Sequence, residues 1–352
     1  DEEEEPTTYV PANTSEGQKA HRLQRLKQQF ARLRAAARST GNLGLGITED
    51  ELQRKRSMQI DFNLGEDSTS IPGPTQDATF DDAQLEYQHA HEKLSHAPHS
   101  RILQAIKNCT LPAHLAKVKP PPCPACLSGK ATRTPWRTRG AYREIIKTTK
   151  PGECTSCDQL ESTTPGFMGL LKGQPTKRRY KAATVFKDHF SKAKYVFYME
   201  RITSEETIKA KNAYERWAAN QGVQILRYHA DNGRFGDQAF RNDCELKRQR
   251  YSYCGVDEHN QNGHAEKAIR DLQDAARTMM LHAQRHWPSA ITTNLWPYAL
   301  NMAADIHNNL PSVGEGATPA ELFSGSKINP SMRHFHHFGC PVYVLNSKMA
   351  SG

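Results

Sequence analysis

A mixed α/β sheet with helices on its faces is the fold class this sequence predicts, and three observations predict it. Three β-prone runs follow one another at 153–160, 180–186 and 195–199. Helical and β-prone runs then alternate: a helix at 203–221, a strand at 224–229, a helix at 237–247 and a strand at 250–256. A long amphipathic helix at 263–285 carries Ala265, Ile269, Leu272, Ala276, Met279 and Ala283 on one side. Adjacent strands followed by alternating helices and strands are the pattern of one five-stranded sheet covered by helices.

Composition bounds the rest. A chain of 352 residues is long enough for two or three domains. Its hydrophobic content of 37% and mean hydropathy of −0.76 are low for one globule, so folded domains alternate with disordered stretches. Lys+Arg number 47 against 38 Asp+Glu, a net +9 that favours a polyanionic partner. No run of about 18 apolar residues is present, which argues against a membrane span, and the N-terminus has no signal-peptide core. Eight cysteines in such a chain read as thiols and metal ligands rather than a disulfide framework. The chain begins at Asp1, the expectation for a piece cut from a longer polyprotein.

Residues 1–80 read as an N-terminal arm. An acidic start is followed by capping-box spacing at Ser15-Glu16-Gly17-Gln18 and a helix to about Arg38. Leu23, Leu26, Phe30, Leu33 and Ala37 form a narrow apolar stripe, and the other faces are basic; two heptads are short for a coiled coil, so a solvated amphipathic helix is the simpler reading. Arg54-Lys55-Arg56 sits in a second short helix, and the Gly, Pro, Ser, Thr and Asp of 61–78 make a linker.

Residues 81–140 read as a small helical metal-binding module. One helix runs from Asp81 to near Leu94, and a second starts with Pro98 in its first turn and carries Ile102, Leu103 and Ile106. Cys123-Pro124-Ala125-Cys126 presents two thiolates to one ion, and His91 and His96 add two imidazoles, a tetrahedral set that suits Zn²⁺. Two such helices have little core of their own, so the ion would supply much of their folding free energy. His89, His99 and His114 lie close in sequence, so spacing alone does not fix which histidines ligate. Cys154-Thr155-Ser156-Cys157 offers a rival Cys₄ site, but a strand there would point its two thiols to opposite faces.

A basic connector, 132–149, leads into the main domain at 150–310. There Asp158 lies in the first strand, Asp231 at the end of the fourth, and Glu266 in the first turn of the long helix. Asn232-Gly233 and Asn262-Gly263 let the chain turn sharply beside two of them. Three carboxylates at one sheet edge suit hard divalent cations, Mg²⁺ or Mn²⁺, and two ions can activate the attacking oxygen of a phosphodiester reaction and stabilise the leaving one. Asp188 is the rival to Asp158. Lys267 and Arg270, on or beside the Glu266 face, are the candidate phosphate contacts. Residues 289–309 look helical, Thr318 caps a short helix, and Cys340–Leu345 reads as a strand in a C-terminal extension, 311–352, that is cut short.

The runs Asp231-Asn232-Gly233, His259-Asn260-Gln261-Asn262-Gly263-His264-Ala265-Glu266 and Phe338-Gly339-Cys340-Pro341-Val342-Tyr343-Val344, with His91 and His96 ahead of the Cys pair, resemble the integrase of Copia/Ty1-type LTR retrotransposons. The resemblance covers roughly residues 85–346, and the 35 positions from Asp231 to Glu266 fit the family's two-aspartate-plus-glutamate pattern. It implies an RNase H-like catalytic core, an N-terminal His₂Cys₂ zinc module, and metal-dependent 3′-end processing and strand transfer of element DNA into target DNA. It further implies a homo-oligomer acting in the nucleus, cytoplasmic while part of the polyprotein or particle, with no small-molecule substrate. A catalytically inactive zinc and nucleic-acid-binding remnant, or an RNase H-type nuclease, are the alternative readings.

Overall fold

The computed structural model describes residues 59–60, 81–131, 147–169, 176–231, 233–253, 262–327 and 332–342. The amphipathic helix, the Arg54-Lys55-Arg56 helix, the linker, most of the basic connector, and Val256, His259, Gln261 and Leu345 lie outside them.

The sheet is the predicted one. Strands β2 (Thr155–Gly166), β3 (Tyr180–Asp188) and β4 (Lys194–Met199) form an antiparallel meander, and β5 (Arg227–Ala230) and β6 (Arg250–Tyr253) add in parallel on the other side of β2. The order β4-β3-β2-β5-β6 is the RNase H-like arrangement expected from the resemblance. A two-residue strand, β1 (Gln59–Ile60), pairs in parallel with Glu161 and Ser162 of β2, a sixth strand the sequence pattern does not reveal. Parallel neighbours need crossovers, supplied here by helices that lie between β4 and β5 and between β5 and β6 in the chain.

In chain order the helices are α1 (Asp82–Lys93), α2 (His99–Lys107), α3 (Pro124–Gly129), α4 (Ser204–Ala219), α5 (Gln238–Leu246), α6 (Gly263–His286), α7 (Trp296–Asn309) and α8 (Pro319–Ser324). Because side chains alternate across a strand, the sheet feeds two cores. Leu160, Ala183 and Val185 pack with Ile269, Leu272 and Met279 of α6 and with Trp296 and Leu300 of α7. Cys157, Phe186 and Tyr228 pack on the opposite face with Tyr214 of α4 and with Phe240 and Cys244 of α5. On α4, Ala210 and Tyr214 are buried as expected, whereas Ile208 and Trp217 are half-buried. Lys211 is fully buried instead, its ammonium satisfied by Glu215, Asp243 and Gln249.

A third core joins the N-terminal helices to the main domain: Leu94, Ile102, Ile106 and Leu115 pack with Ile306 and Leu310 of α7 and its end, and with Met332. The guanidinium of Arg101 donates to the carbonyl oxygens of His307 at 3.0 Å and Pro311 at 3.1 Å, and also to that of Leu310, capping the C-terminus of α7. At the contact of α3 with α6, a Cβ on Gly129 would stand 2.4 Å from Thr278 Oγ1 and 2.8 Å from Thr278 Cα, so only glycine permits this approach. The two-helix module therefore borrows apolar surface from α7, and its expected dependence on a metal for a core is lessened.

Several boundaries differ from the sequence reading. β2 starts at Thr155, because Glu153 instead accepts the Thr149 amide at 2.7 Å in the preceding turn; it then runs on to Gly166, where a loop was expected from 163. Pro98 is the N-cap of α2 rather than part of its first turn. Thr293–Leu295 is a 3₁₀ turn ahead of α7, replacing the first part of the helix expected from 289. The described residues 340–342 of the expected final strand have no regular structure. No described helix is long and apolar enough to cross a membrane.

Candidate active site and metal centre

The parallel register of β2 and β5 pairs Cys157 with Ala230, so Asp158 and Asp231 are the next residues on neighbouring strands. Asp158 is only 4% exposed, and its carboxyl is pushed up to about 8 by burial first, then by the charge of Asp231 and by that of Glu266. The amide of Gln159, 2.7 Å away, opposes the shift by donating to Asp158 Oδ1. Glu266 is in the first turn of α6, where the helix dipole favours a negative charge. Three elements thus bring three carboxylates into one electrostatic field. They do not close into a cage: among the described residues, they are not a group whose ligand atoms all lie within 4.8 Å of one another.

What ties α6 to this edge is Asn262, whose side chain was read from sequence only as part of a turn. It is 2% exposed, and its Nδ2 donates to the Cys157 carbonyl oxygen at 3.1 Å, one residue before Asp158. Gly233 has a different duty. A Cβ there would lie 3.0 Å from Asp231 Oδ2, so glycine lets the carboxylate fold back over its own turn. Lys267 and Arg270 are exposed on α6, and Lys267 Nζ pairs with Asp271 Oδ1 at 3.1 Å.

Asp188 takes a structural part. Its Oδ2 accepts from the amide and hydroxyl of Ser191 at 2.7 and 2.8 Å, and its Oδ1 from the Gly152 amide at 2.9 Å. It holds the β3–β4 turn, opposite Thr155 in register and three pairs along from Asp158, and so belongs to the other face of the sheet. Beside the carboxylates lies a polar layer that sequence reasoning missed. Ser156 Oγ is 2.7 Å from His189 Nε2, and His189 stacks on His264 with ring centroids 4.2 Å apart. Burial lowers both imidazoles, His189 to about 3 and His264 to about 4, so both are neutral near pH 7. The signal in the sequence was Asp188-His189 and His264 themselves, but nothing in it says that they meet.

The metal centre is more compact. The ligand atoms of His91, His96, Cys123 and Cys126 all lie within 4.8 Å of one another, a group that could hold a metal ion. His91 Nε2 is 3.2 Å from Cys126 Sγ, and His96 Nδ1 is 3.4 Å from Cys123 Sγ. His91 Nδ1 lies 3.0 Å from the Ala97 carbonyl oxygen, a contact that fixes the tautomer and leaves Nε2 for an ion. Ser95 and His96 both adopt positive φ, 55° and 54°, a left-handed corner that turns His96 inward from the end of α1. Cys123 caps α3 and Cys126 lies within it, so one helical turn brings both thiols to the same side. Bonding to Cys126, then to His91 and His96, holds the Cys123 thiol well below its ordinary value; Cys126 is pushed up in turn. Burial lowers His96 to about 4, leaving a neutral imidazole. The rival Cys₄ set does not form, because Cys157 is in the core under α4 and α5.

No protein-family profile matches the chain, and no curated protein matches its sequence significantly. Solved structures similar to it include retroviral integrases. The HTLV-2 integrase catalytic core domain in complex with magnesium, in its trimeric form, aligns with 50% of this chain and 99% of its own at 20% identity and a TM-score of 0.36. The catalytic core domain of BIV integrase aligns with 49% of this chain and 93% of its own at 17% identity and a TM-score of 0.33. The simian T-cell lymphotropic virus intasome, in complex with PP2A regulatory subunit B56 gamma, aligns with 53% and 59% at 20% identity and a TM-score of 0.39. The likeness is one of fold; what the chain does is argued from its side chains.

Proposed function

We propose that this chain is the integrase region of a Copia/Ty1-type LTR retrotransposon, a polynucleotidyl transferase that processes the 3′ ends of element DNA and joins them to target DNA. The observation that carries the reading is the crowding of Asp158, Asp231 and Glu266 on one sheet edge, with Asn262 pinning α6 to β2. A carboxyl held protonated up to about pH 8 by burial first and then by two like charges is a poor way to stabilise a fold. It fits a site whose charge is balanced by divalent cations, and the all-oxygen donor set suits Mg²⁺ or Mn²⁺.

Asp158, Asp231 and Glu266 would hold two such ions, which supply activation of the attacking oxygen and stabilisation of the leaving one. The protein's own part is to fix the carboxylates on rigid elements and to give up the Asp158 proton as the site fills. Lys267 and Arg270 contact backbone phosphate without reading sequence, and binding weakens steeply with salt. His91, His96, Cys123 and Cys126 hold Zn²⁺. The protein acts on DNA in the nucleus as a homo-oligomer, and is cytoplasmic within its particle.

The test is strand transfer of a duplex element end by the Glu266→Gln variant. A loss of ~100-fold or more, with DNA binding kept, is expected. Undiminished transfer would overturn the assignment. The open spacing of the carboxylates favours one second reading, an inactive DNA-binding remnant, and a wild-type chain that binds DNA and Mg²⁺ without joining ends would establish it.

A further inference from the structure

Next to the four-ligand centre is a second group of metal-ligating side chains, drawn from three parts of the chain. Glu92 comes from α1, His282 from α6 and His337 from the segment 332–342, and their ligand atoms all lie within 4.8 Å of one another. His282 Nε2 is 3.8 Å from Glu92 Oε2. That is too long for a hydrogen bond. It is close to the separation of about 3.3–3.5 Å that two donors take when each is bonded to one tetrahedral zinc.

Two of the three ligands are already oriented by outer partners. Gln88 Nε2 donates to Glu92 Oε1 at 2.6 Å, which leaves Oε2 turned to the histidines. His337 Nε2 donates to the His89 carbonyl oxygen at 3.3 Å, which leaves its Nδ1 for an ion. Such support of a ligand's far atom is the usual second layer of metal sites. A simple ion pair between Glu92 and His282 would explain neither the third group nor the orientation of His337.

We propose that Glu92, His282 and His337 bind a second divalent transition-metal ion of the zinc class, with solvent completing its coordination. Two imidazoles and one carboxylate favour such an ion over Mg²⁺. The ion clips the 332–342 segment to the junction of α1 and α6. The His96 and His282 rings, with centroids 5.2 Å apart, put this site against the four-ligand centre, so the two ions would be neighbours. The inference goes beyond the proposed integrase chemistry and does not depend on it.

The experiment is metal replacement in the full chain. After chelation and refilling with Co²⁺ in the presence of excess Mg²⁺, which keeps the carboxylate edge occupied, bound cobalt is counted per chain and the absorption spectrum recorded. Two ions per chain are expected, with a thiolate-to-cobalt charge-transfer band from Cys123 and Cys126. Glu92→Gln and His337→Ala should each lower the count from two to one with that band unchanged. The band also reports that the neighbouring centre is still folded in each variant. One ion per wild-type chain, or two ions retained in both variants, would overturn the proposal. A fall by one ion on Glu92→Gln and His337→Ala without any thiolate band would support it while removing the four-ligand zinc centre.

Discussion

The two metal-ligating regions are built on opposite principles. At the His91/His96/Cys123/Cys126 centre, four soft donors lie within 4.8 Å of one another, the His96 imidazole is neutral, and the thiols hydrogen-bond to the histidines. At the sheet edge, burial first, and then the charges of Asp231 and Glu266, raise the Asp158 carboxyl to about 8. In the first, the ligand atoms converge. The second is held against its own charge by secondary structure, with α6 fastened to β2 through Asn262. Under the proposed function, a centre that stays closed gains from converging ligands, whereas a site that admits a DNA strand gains from rigid walls and an open middle.

That contrast can be broken at three points. The largest effect is expected from Cys126→Ser. Losing a thiolate should remove most of the folding free energy that zinc binding contributes, a figure on the order of 10 kcal/mol in small zinc domains. Zinc content should fall, and thermal unfolding should begin with the N-terminal helices. Because these helices also pack on α7, residual helicity after zinc loss would measure how much of their stability is borrowed.

Next comes the comparison of the two aspartates. Asp188→Ala leaves the Ser191 and Gly152 amides without their acceptor and should cost about 3 kcal/mol in chemical denaturation. Asp158→Asn should do the reverse when no divalent ion is present. Its folded carboxyl, at about 8, lies above the ordinary 3.8, so the folded state holds the proton more tightly than the unfolded one. Stability is therefore lost as pH rises through the window from 3.8 to about 8. The asparagine variant escapes that loss and should be more stable than wild type at pH 8, on the order of 5 kcal/mol. Equal pH dependence of the two proteins between 4 and 8 would mean that the folded state does not hold the Asp158 proton.

Much of this was legible in the sequence because it rests on local pattern. Asp158, Asp231 and Glu266 sit where strand and helix periodicities place them, and the Cys pair is one helical turn. What could not be read depends on distant partners. Asp188 looked like a rival ligand because its bonds to Ser191 and Gly152 are invisible in a linear string. Asn262 looked like a turn residue, although its amide reaches across 105 positions to Cys157. The outer half of β2 is Ser, Thr and Pro, which read as a loop, yet pairing with β3 carries it to Gly166. Lys211 is buried against every compositional expectation, since Asp243 and Gln249 arrive from later in the chain.

The guanidinium of Arg101 has a practical corollary. It serves three carbonyl oxygens at the end of α7 from α2, a helix that precedes β2 in the chain. A fragment trimmed to begin at the first aspartate-bearing strand would leave that helix terminus unserved and would uncover Ile306 and Leu310. Such a minimal core is poised to be sticky in solution. The economical cut for a well-behaved recombinant piece lies ahead of Asp81, with the histidine-bearing helices kept as its chaperoning flank.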